Sequence, residues 1–218
     1  MALEDTIRRI REIGIVPVVR AANLDEARQA INAICRGGIP IIEVTMTVPN
    51  APAMIRELVQ HYGDQVLTGA GTVTTARQAE VCLEAGAQFL VSPGLSSAVL
   101  QVAAQHGTLA IPGALTPTEV MAALEAGARV IKIFPCGSAG GAKHIKALRA
   151  PFPETPFIPT GGVNLSNAAE YLAAGSFALG VGADLVDLAA LRRNESQKIV
   201  EMAKSLVETV RLARSRPA

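Results

Sequence analysis

Short runs of apolar residues recur along the chain, and amphipathic stretches separate them. Each run is too short for a helix and too continuous for a strand with one face in water, which is typical of parallel strands buried on both faces. Eight such runs predict eight strands. They lie at Ile15–Val19, Val66–Ala70, Leu109–Ile111 and Phe157–Thr160, and around residues 42, 91, 132 and 179.

A recurring phrase with a glycine precedes four of these strands and predicts where a helix ends. Glycine readily adopts the positive φ at which many helices stop. The four copies are Arg36-Gly37-Gly38-Ile39, Glu84-Ala85-Gly86-Ala87, Glu125-Ala126-Gly127-Ala128 and Ala173-Ala174-Gly175-Ser176.

Amphipathic stretches between the strands predict helices, and several begin with a residue suited to cap a helix N-terminus. Asn23, either Thr74 or Thr75, and Thr116 are these candidate caps. The helices are expected at Leu3–Ile13, Leu24–Cys35, Gln78–Ala85, Pro117–Ala126, Asn167–Ala174 and about Glu195–Ala213.

Eight alternating strand and helix units in one chain favour an α/β protein with a closed barrel of parallel strands. We therefore predict a (β/α)8 TIM barrel with an N-terminal helix. A doubly wound open sheet is the competing architecture. No linker or shift in composition divides the chain, so residues 1–218 are predicted to form a single domain.

Composition narrows the classes of function. Half of the 218 residues are hydrophobic, and the formal net charge is +1. Nothing in this balance favours a nucleic-acid or membrane partner, and no apolar run is long enough to span a bilayer. The three cysteines are odd in number and widely spaced, which argues against disulfides and a zinc site. A cytoplasmic protein without a secretory signal is the expectation.

Two charged residues within apolar strands are the main candidates for chemistry. Lys132 is the one lysine of five that lies inside a predicted strand, and Glu43 is the one acidic residue in such a position. Burial favours the neutral, nucleophilic form of an amine, which Schiff-base formation requires. Glu43 is a candidate proton shuttle. An internal ion pair without a catalytic role is the alternative.

Glycine-rich segments after other strands are candidates for binding a ligand. In Gly69-Ala70-Gly71-Thr72-Val73, small residues would allow close approach and Thr72 offers a hydroxyl, although a tight turn explains the motif equally well. The segments Thr160-Gly161-Gly162 and Gly182-Ala183 follow the seventh and eighth strands, where many barrels bind phosphate. Arg20 ends the first strand, where it would bind a carboxylate or phosphate, or form a salt bridge at the rim.

With these residues in place, the chain resembles the 2-keto-3-deoxy-6-phosphogluconate aldolase family, which includes the 4-hydroxy-2-oxoglutarate and 2-keto-3-deoxy-6-phosphogalactonate aldolases. The resemblance runs from Val16 to Gly182, with the motifs in the family's order and spacing. The most specific motifs are Ile42-Glu43-Val44-Thr45, Gly69-Ala70-Gly71-Thr72-Val73, Val91-Ser92-Pro93-Gly94, Ile131-Lys132-Ile133-Phe134-Pro135 and Pro159-Thr160-Gly161-Gly162-Val163.

The resemblance implies a class I aldolase that uses no metal or other cofactor. By position, Lys132 matches the Schiff-base lysine and Glu43 the acid/base carboxylate. Thr72 matches the residue that binds the pyruvyl carboxylate, and Pro93 and Phe134 match residues that shape the pocket. Gly161 and Gly162 match the phosphate-binding turn of the family. The resemblance also implies a cytosolic homotrimer that acts on a small 2-keto acid or phosphosugar.

Two positions depart from well-known members of the family. Thr47 stands where many members carry an Arg that helps to hold the substrate, and Ala183 stands where a Ser contributes to the phosphate site. The phosphogalactonate enzymes also lack that Arg. The choice among the three substrates of the family therefore stays open at this point.

Readings outside this family also remain. A metal-dependent phosphosugar isomerase or epimerase could use a similar barrel, but its reaction would not explain why a lysine lies buried in a strand. A catalytically silent, trimeric phosphosugar-binding barrel is the reading from another class. It would gain nothing from retaining both Lys132 and Glu43 at a cost in burial.

Overall fold

The structure is a computed structural model that describes residues 2–215. The strands are β1 Ile15–Val19, β2 Ile41–Thr45, β3 Leu67–Gly71, β4 Phe89–Val91, β5 Leu109–Ile111, β6 Gly113–Ala114, β7 Ile131–Ile133, β8 Phe157–Pro159 and β9 Leu179–Val181. The helices are α1 Leu3–Ile13, α2 Leu24–Arg36, α3 Ala51–Tyr62, α4 Ala76–Glu84, α5 Ser97–Gln105, α6 Pro117–Glu125, α7 Ala142–Arg149, α8 Ala168–Ala173, α9 Leu188–Arg192 and α10 Gln197–Ser215.

The strands pair in parallel and form a closed barrel. One run of strands has the order β5-β4-β3-β2-β1-β9, and a second has the order β6-β7-β8. A bridge between Thr160 and Gly180 joins the end of β8 to β9, and β5 continues into β6. The predicted (β/α)8 barrel with its N-terminal helix is therefore confirmed, and the open sheet is excluded.

The fifth barrel strand is divided into β5 and β6 at Pro112. Proline lacks the N–H group that a central strand donates to its neighbour. The Pro112 carbonyl still accepts a hydrogen bond from the Lys132 N–H at 2.9 Å, so the barrel stays closed at this point. The apolar pattern predicted the strand at Leu109–Ile111 but did not reveal its continuation beyond the proline.

The predicted helix ends agree closely with the structure. Asn23 accepts a hydrogen bond from the Glu26 N–H, Thr75 rather than Thr74 caps α4, and Thr116 forms a reciprocal capping box with Glu119. Positive φ values of 88° to 96° occur at one glycine of each recurring phrase, as expected. These glycines are Gly38, Gly86, Gly127 and Gly175.

The core lies on both faces of the barrel wall, because every residue of β1 to β9 is buried. Few polar side chains interrupt it: within the described part of the chain, Glu43 and Lys132 are the charged residues among the buried set. None of the described helices is long and apolar enough to cross a membrane.

Candidate active site

Lys132 and Glu43 face one another across the interior of the barrel. Lys132 is the central residue of β7 and Glu43 the central residue of β2, and these are the sixth and second strands around the barrel. Their exposed fractions are 4% and 2%. The distance from Lys132 Nζ to Glu43 Oε1 is 3.9 Å, which is too long for a direct hydrogen bond.

The carboxyl group of Glu43 has an unusual environment. Burial raises its pKa above the ordinary value of 4.5, and the positive charges of Lys132 and Arg20 oppose that rise without cancelling it. Its Oε1 atom is buried and has no hydrogen-bond partner among the described residues. A carboxyl group in this state holds its proton to a higher pH than an exposed one, which suits it to donate a proton as well as to accept one.

Gly71 makes room for the Glu43 carboxyl group. A Cβ atom on Gly71 would collide with Glu43 Oε1, so a residue with a side chain could not occupy this position without displacing the carboxyl group. A Cβ atom on Gly69 would collide with the ring of Phe89. The glycines of this segment therefore accommodate other side chains of the protein, a role that the sequence analysis did not anticipate.

Thr72 follows β3 directly and adopts a left-handed backbone conformation with φ of 57°. This conformation is unfavourable for a β-branched residue and costs on the order of 1–3 kcal/mol. The surrounding pairing imposes it, since the Gly71 carbonyl accepts from the Met46 N–H and the Val73 N–H donates to the Val91 carbonyl. Such strain is frequent where a side chain must be held in one direction at a functional site.

A cavity of about 540 Å³ opens at the carboxyl ends of the strands and gathers most of the predicted binding residues. Phe134 connects it to the buried lysine, because Lys132 Nζ lies 5.3 Å from the centre of the Phe134 ring. Arg20 is exposed in this cavity and forms no salt bridge with any described residue, so the rim salt bridge is not present. The predicted residues that line the cavity are Arg20, Phe134, Thr160, Gly161, Gly162, Gly182 and Ala183.

The turn at Gly161 and Gly162 forms one wall of this cavity. Both glycines have positive φ values, 85° and 79°. Backbone turns of this kind can direct successive N–H groups toward one anion. The turn packs against Gly137, whose N–H donates to the Gly161 carbonyl at 2.8 Å. A Cβ atom on Gly137 would lie 2.9 Å from that carbonyl oxygen, so the close approach favours glycine there.

Two acidic residues at the cavity were not predicted as site residues. Asp184 and Asp187 line it beside Ala183. Asp187 also caps α9, because its Oδ1 accepts from the Ala190 N–H at 2.8 Å. The sequence shows that Asp187 lies three residues before a helical N–H group. It does not show that Asp187 lies beside a cavity.

The remaining predicted residues lie outside the lining of that cavity. Lys132 and Glu43 are buried inside the barrel, and Thr72 follows the end of β3. Pro93 is exposed just after β4. The Pro93 carbonyl packs closely against Gly113 of β6. Thr47 is exposed, and its hydroxyl lies 2.7 Å from that of Thr45.

The described residues contain no group of three or more His, Cys, Asp or Glu side chains arranged to hold a metal ion.

Comparison with known proteins identifies relatives along nearly the whole chain. A family model described as "Aldolase: KDPG and KHG aldolase" matches residues 6–202. The KHG/KDPG aldolase of Escherichia coli K12 is 34% identical over 198 residues, which cover 91% of this chain and 92% of that protein. The 2-dehydro-3-deoxy-phosphogluconate aldolase of Treponema pallidum is 40% identical over 164 residues, or 75% of this chain and 78% of that protein.

Solved structures agree with this result. A KDPG aldolase from Legionella pneumophila, crystallised with pyruvate captured as a covalent carbinolamine, is 32% identical with a TM-score of 0.85. The match covers 92% of this chain and 97% of that chain. The chain, a lyase built on a TIM-like barrel, belongs to the KDPG and KHG aldolase family.

Proposed function

We propose that this protein cleaves 2-keto-3-deoxy-6-phosphogluconate into pyruvate and glyceraldehyde 3-phosphate through a Schiff base on Lys132. The buried pair of Lys132 and Glu43 carries the proposal. Such a pair adds little stability, because desolvation of both charges offsets their attraction. A nucleophilic amine beside a carboxyl group that exchanges protons is, by contrast, what a class I aldolase requires.

The first half of the reaction forms the covalent bond. Lys132 first passes its proton to Glu43, and its neutral amine then attacks the C2 keto group of the substrate; the resulting carbinolamine loses water to give an iminium ion. Glu43 supplies and receives the protons for this dehydration. At 3.9 Å the two groups do not bond directly, so a water molecule or a substrate hydroxyl group must bridge them.

The second half breaks the C3–C4 bond. The iminium ion accepts the electron pair of that bond while the C4 hydroxyl group loses its proton to the Glu43 relay. Glyceraldehyde 3-phosphate leaves, and a pyruvyl enamine remains on Lys132. Protonation at C3 and addition of water then release pyruvate and regenerate the free amine.

The residues around the pair suggest how the substrate is oriented. Thr72, held in one direction by its strained backbone, is proposed to bind the substrate carboxylate. Phe134 and Pro93 would shape the pocket for the three-carbon pyruvyl part. The phosphate would lie in the cavity, bound by the backbone around Gly161, Gly162, Thr160, Gly182 and Ala183 and by the exposed guanidinium of Arg20.

The choice of substrate within the family needs a direct comparison. The 2-dehydro-3-deoxy-6-phosphogalactonate aldolase of Escherichia coli K12 is also 34% identical, over 91% of this chain and 97% of that protein. Rates on the phosphogluconate, phosphogalactonate and hydroxy-oxoglutarate substrates would decide. We expect the highest kcat/KM on the phosphogluconate compound, and a higher value on either of the others would reassign the substrate while leaving the Schiff base in place.

The family resemblance also supports a cytoplasmic enzyme that works as a homotrimer, with residues 1–218 as one catalytic domain. These statements concern the cellular setting and assembly of the enzyme, and the mechanism at Lys132 does not depend on them.

Replacing the lysine tests the mechanism. Lys132→Ala should reduce kcat by at least roughly 10³-fold, because it removes the nucleophile itself. Lys204→Ala, which removes an exposed lysine of α10, is the matched control and should turn over normally. Pyruvate formation would be followed by a coupled lactate dehydrogenase assay, and circular dichroism would verify folding. A folded Lys132→Ala protein with near-normal turnover would overturn the proposal.

A further inference from the structure

A second polar cavity lies at the opposite end of the barrel from the proposed active site. It has a volume of about 590 Å³. Its walls come from the segments that lead into β1, β8 and β9, at the amino ends of these strands, together with the end of α10. We call it the basal cavity and define it by Arg11, Arg149, Arg214, Ser176 and Glu154.

Three arginines meet in the basal cavity, and none of them forms a salt bridge with a carboxylate of the described residues 2–215. By contrast, six other arginines have a carboxylate partner within the described residues 2–215. These six are Arg8, Arg28, Arg129, Arg192, Arg193 and Arg211.

Backbone groups hold two of these arginines in place. Arg149 donates to the carbonyls of Gly175 and Pro153 at 3.1 and 2.8 Å. Arg214 donates to the carbonyls of Glu12 and Phe177 at 2.9 and 3.2 Å.

Glycine lies beneath each of these two guanidinium groups. A Cβ atom on Gly175 would collide with the Arg149 side chain, and one on Gly14 would collide with that of Arg214. The two cationic groups are therefore positioned by the fold, which lowers the entropic cost of binding a ligand between them.

The charges in the cavity repel one another. Burial lowers the pKa of Arg214, and the positive charge of Arg11 lowers it further. Two acidic residues also line the cavity: Glu12 bonds to Arg8 at 3.2 Å, and Glu154 is exposed and forms no salt bridge with any described residue. The cavity therefore has an excess of positive charge that a small anion would neutralise.

A buried hydroxyl group adds a polar contact. The Oγ atom of Ser176 is buried and has no hydrogen-bond partner among the described residues, and Ser176 lines the basal cavity. A buried hydroxyl without a partner costs free energy that a ligand oxygen could recover. Guanidinium groups together with a hydroxyl group are a common combination for binding phosphate.

We propose that the basal cavity binds the phosphate group of a small molecule, separately from the substrate. Arg11, Arg149 and Arg214 supply the charge, and Ser176 donates one hydrogen bond. The ligand does not touch Lys132, since the two sites open at opposite ends of the barrel. The proposal goes beyond the aldolase reaction and does not depend on it.

A titration followed by two-dimensional ¹⁵N NMR tests this site on the whole protein. Inorganic phosphate and glycerol 3-phosphate would be added in separate experiments. We expect saturable shifts of the Gly175 and Ser176 amides that are independent of any shifts of Gly161 and Gly162 in the upper cavity. Tighter saturation by the ester would identify a phosphorylated metabolite as the ligand, and equal saturation would identify the free anion.

Two variants separate specific binding from general charge effects. Arg11→Glu should weaken binding at the basal cavity by roughly tenfold or more, and Ser176→Ala should weaken it several-fold without a change in charge. Lys204→Glu makes the same charge change on α10, outside the cavity, and should leave binding unchanged. No saturable shift at Gly175 and Ser176, or equal weakening by Arg11→Glu and Lys204→Glu, would overturn the proposal.

Discussion

Glu43 shows how a single residue can be chemically useful and structurally unfavourable at once. Its carboxyl group lies inside the barrel, opposite Lys132, with one oxygen that has no hydrogen-bond partner among the described residues. Gly71 leaves the space that this oxygen occupies. Because burial disfavours the charged form, the protein should be less stable when Glu43 is ionised.

The stability of the protein should therefore depend on pH through Glu43. The folded-state pKa of Glu43 is raised above 4.5, so the native state binds the proton more tightly than the unfolded state does. Stability from this group is present below pH 4.5 and is lost as the pH rises through the raised pKa. Urea unfolding of wild type and Glu43→Gln across pH should show the wild type losing stability relative to the variant as pH increases.

A control with an exposed acid makes this comparison specific. Glu84 is exposed on α4, and Glu84→Gln should show no comparable trend relative to wild type. If the difference between wild type and Glu43→Gln stayed constant, or grew in favour of wild type with rising pH, the described burial of Glu43 would be wrong.

At the scale of elements, local signals in the sequence determine most boundaries. The helix N-terminus at Thr116 is the clearest case, because Thr116 accepts from the Glu119 N–H while the Glu119 side chain accepts from the Thr116 N–H. This reciprocal arrangement satisfies two donors that the first turn would otherwise leave without partners.

Removing this cap should destabilise α6 measurably. Thr116→Ala should lower the free energy of unfolding by about 1 kcal/mol. Thr118→Ala is the matched control, since Thr118 is exposed within the same helix and its hydroxyl has no partner among the described residues; its effect should stay within about 0.5 kcal/mol. Equal losses in the two variants, measured by urea unfolding, would mean that the capping box does not contribute.

The strands and helix ends could be predicted because they depend on local patterns of burial and capping. The continuation of the fifth strand beyond Pro112 could not, since Gly113 and Ala114 form a strand only by pairing with the distant β7. Lys132 and Glu43 were found as charges inside apolar runs. The purpose of Gly71, and the place of Asp184 and Asp187 beside the cavity, depend on contacts between distant segments that no local pattern reveals.

At the scale of the molecule, the parallel barrel separates two polar regions. The proposed active site opens at the carboxyl ends of the strands and the basal cavity at the amino ends. Parallel strands make this separation possible, because all of their carboxyl ends meet at one mouth of the barrel. Ligands at the two mouths therefore do not compete for the same space.

The family resemblance leads us to expect three copies of the chain in the working enzyme. Light scattering after size-exclusion chromatography should give a mass of about three times 22.7 kDa. A mass that corresponds to one chain at assay concentrations, together with full activity, would show that the trimer is not required.

Trapping of the covalent intermediate tests the central claim most directly. The protein would be incubated with pyruvate and sodium borohydride, and the adduct would be located by peptide mass spectrometry. Lys132, buried opposite Glu43, should carry the single irreversible adduct, because reduction fixes the imine formed at the reactive amine. The four other lysines, at 143, 146, 198 and 204, are exposed and serve as internal controls. An adduct spread over those four, or no adduct at all, would contradict the Schiff-base mechanism.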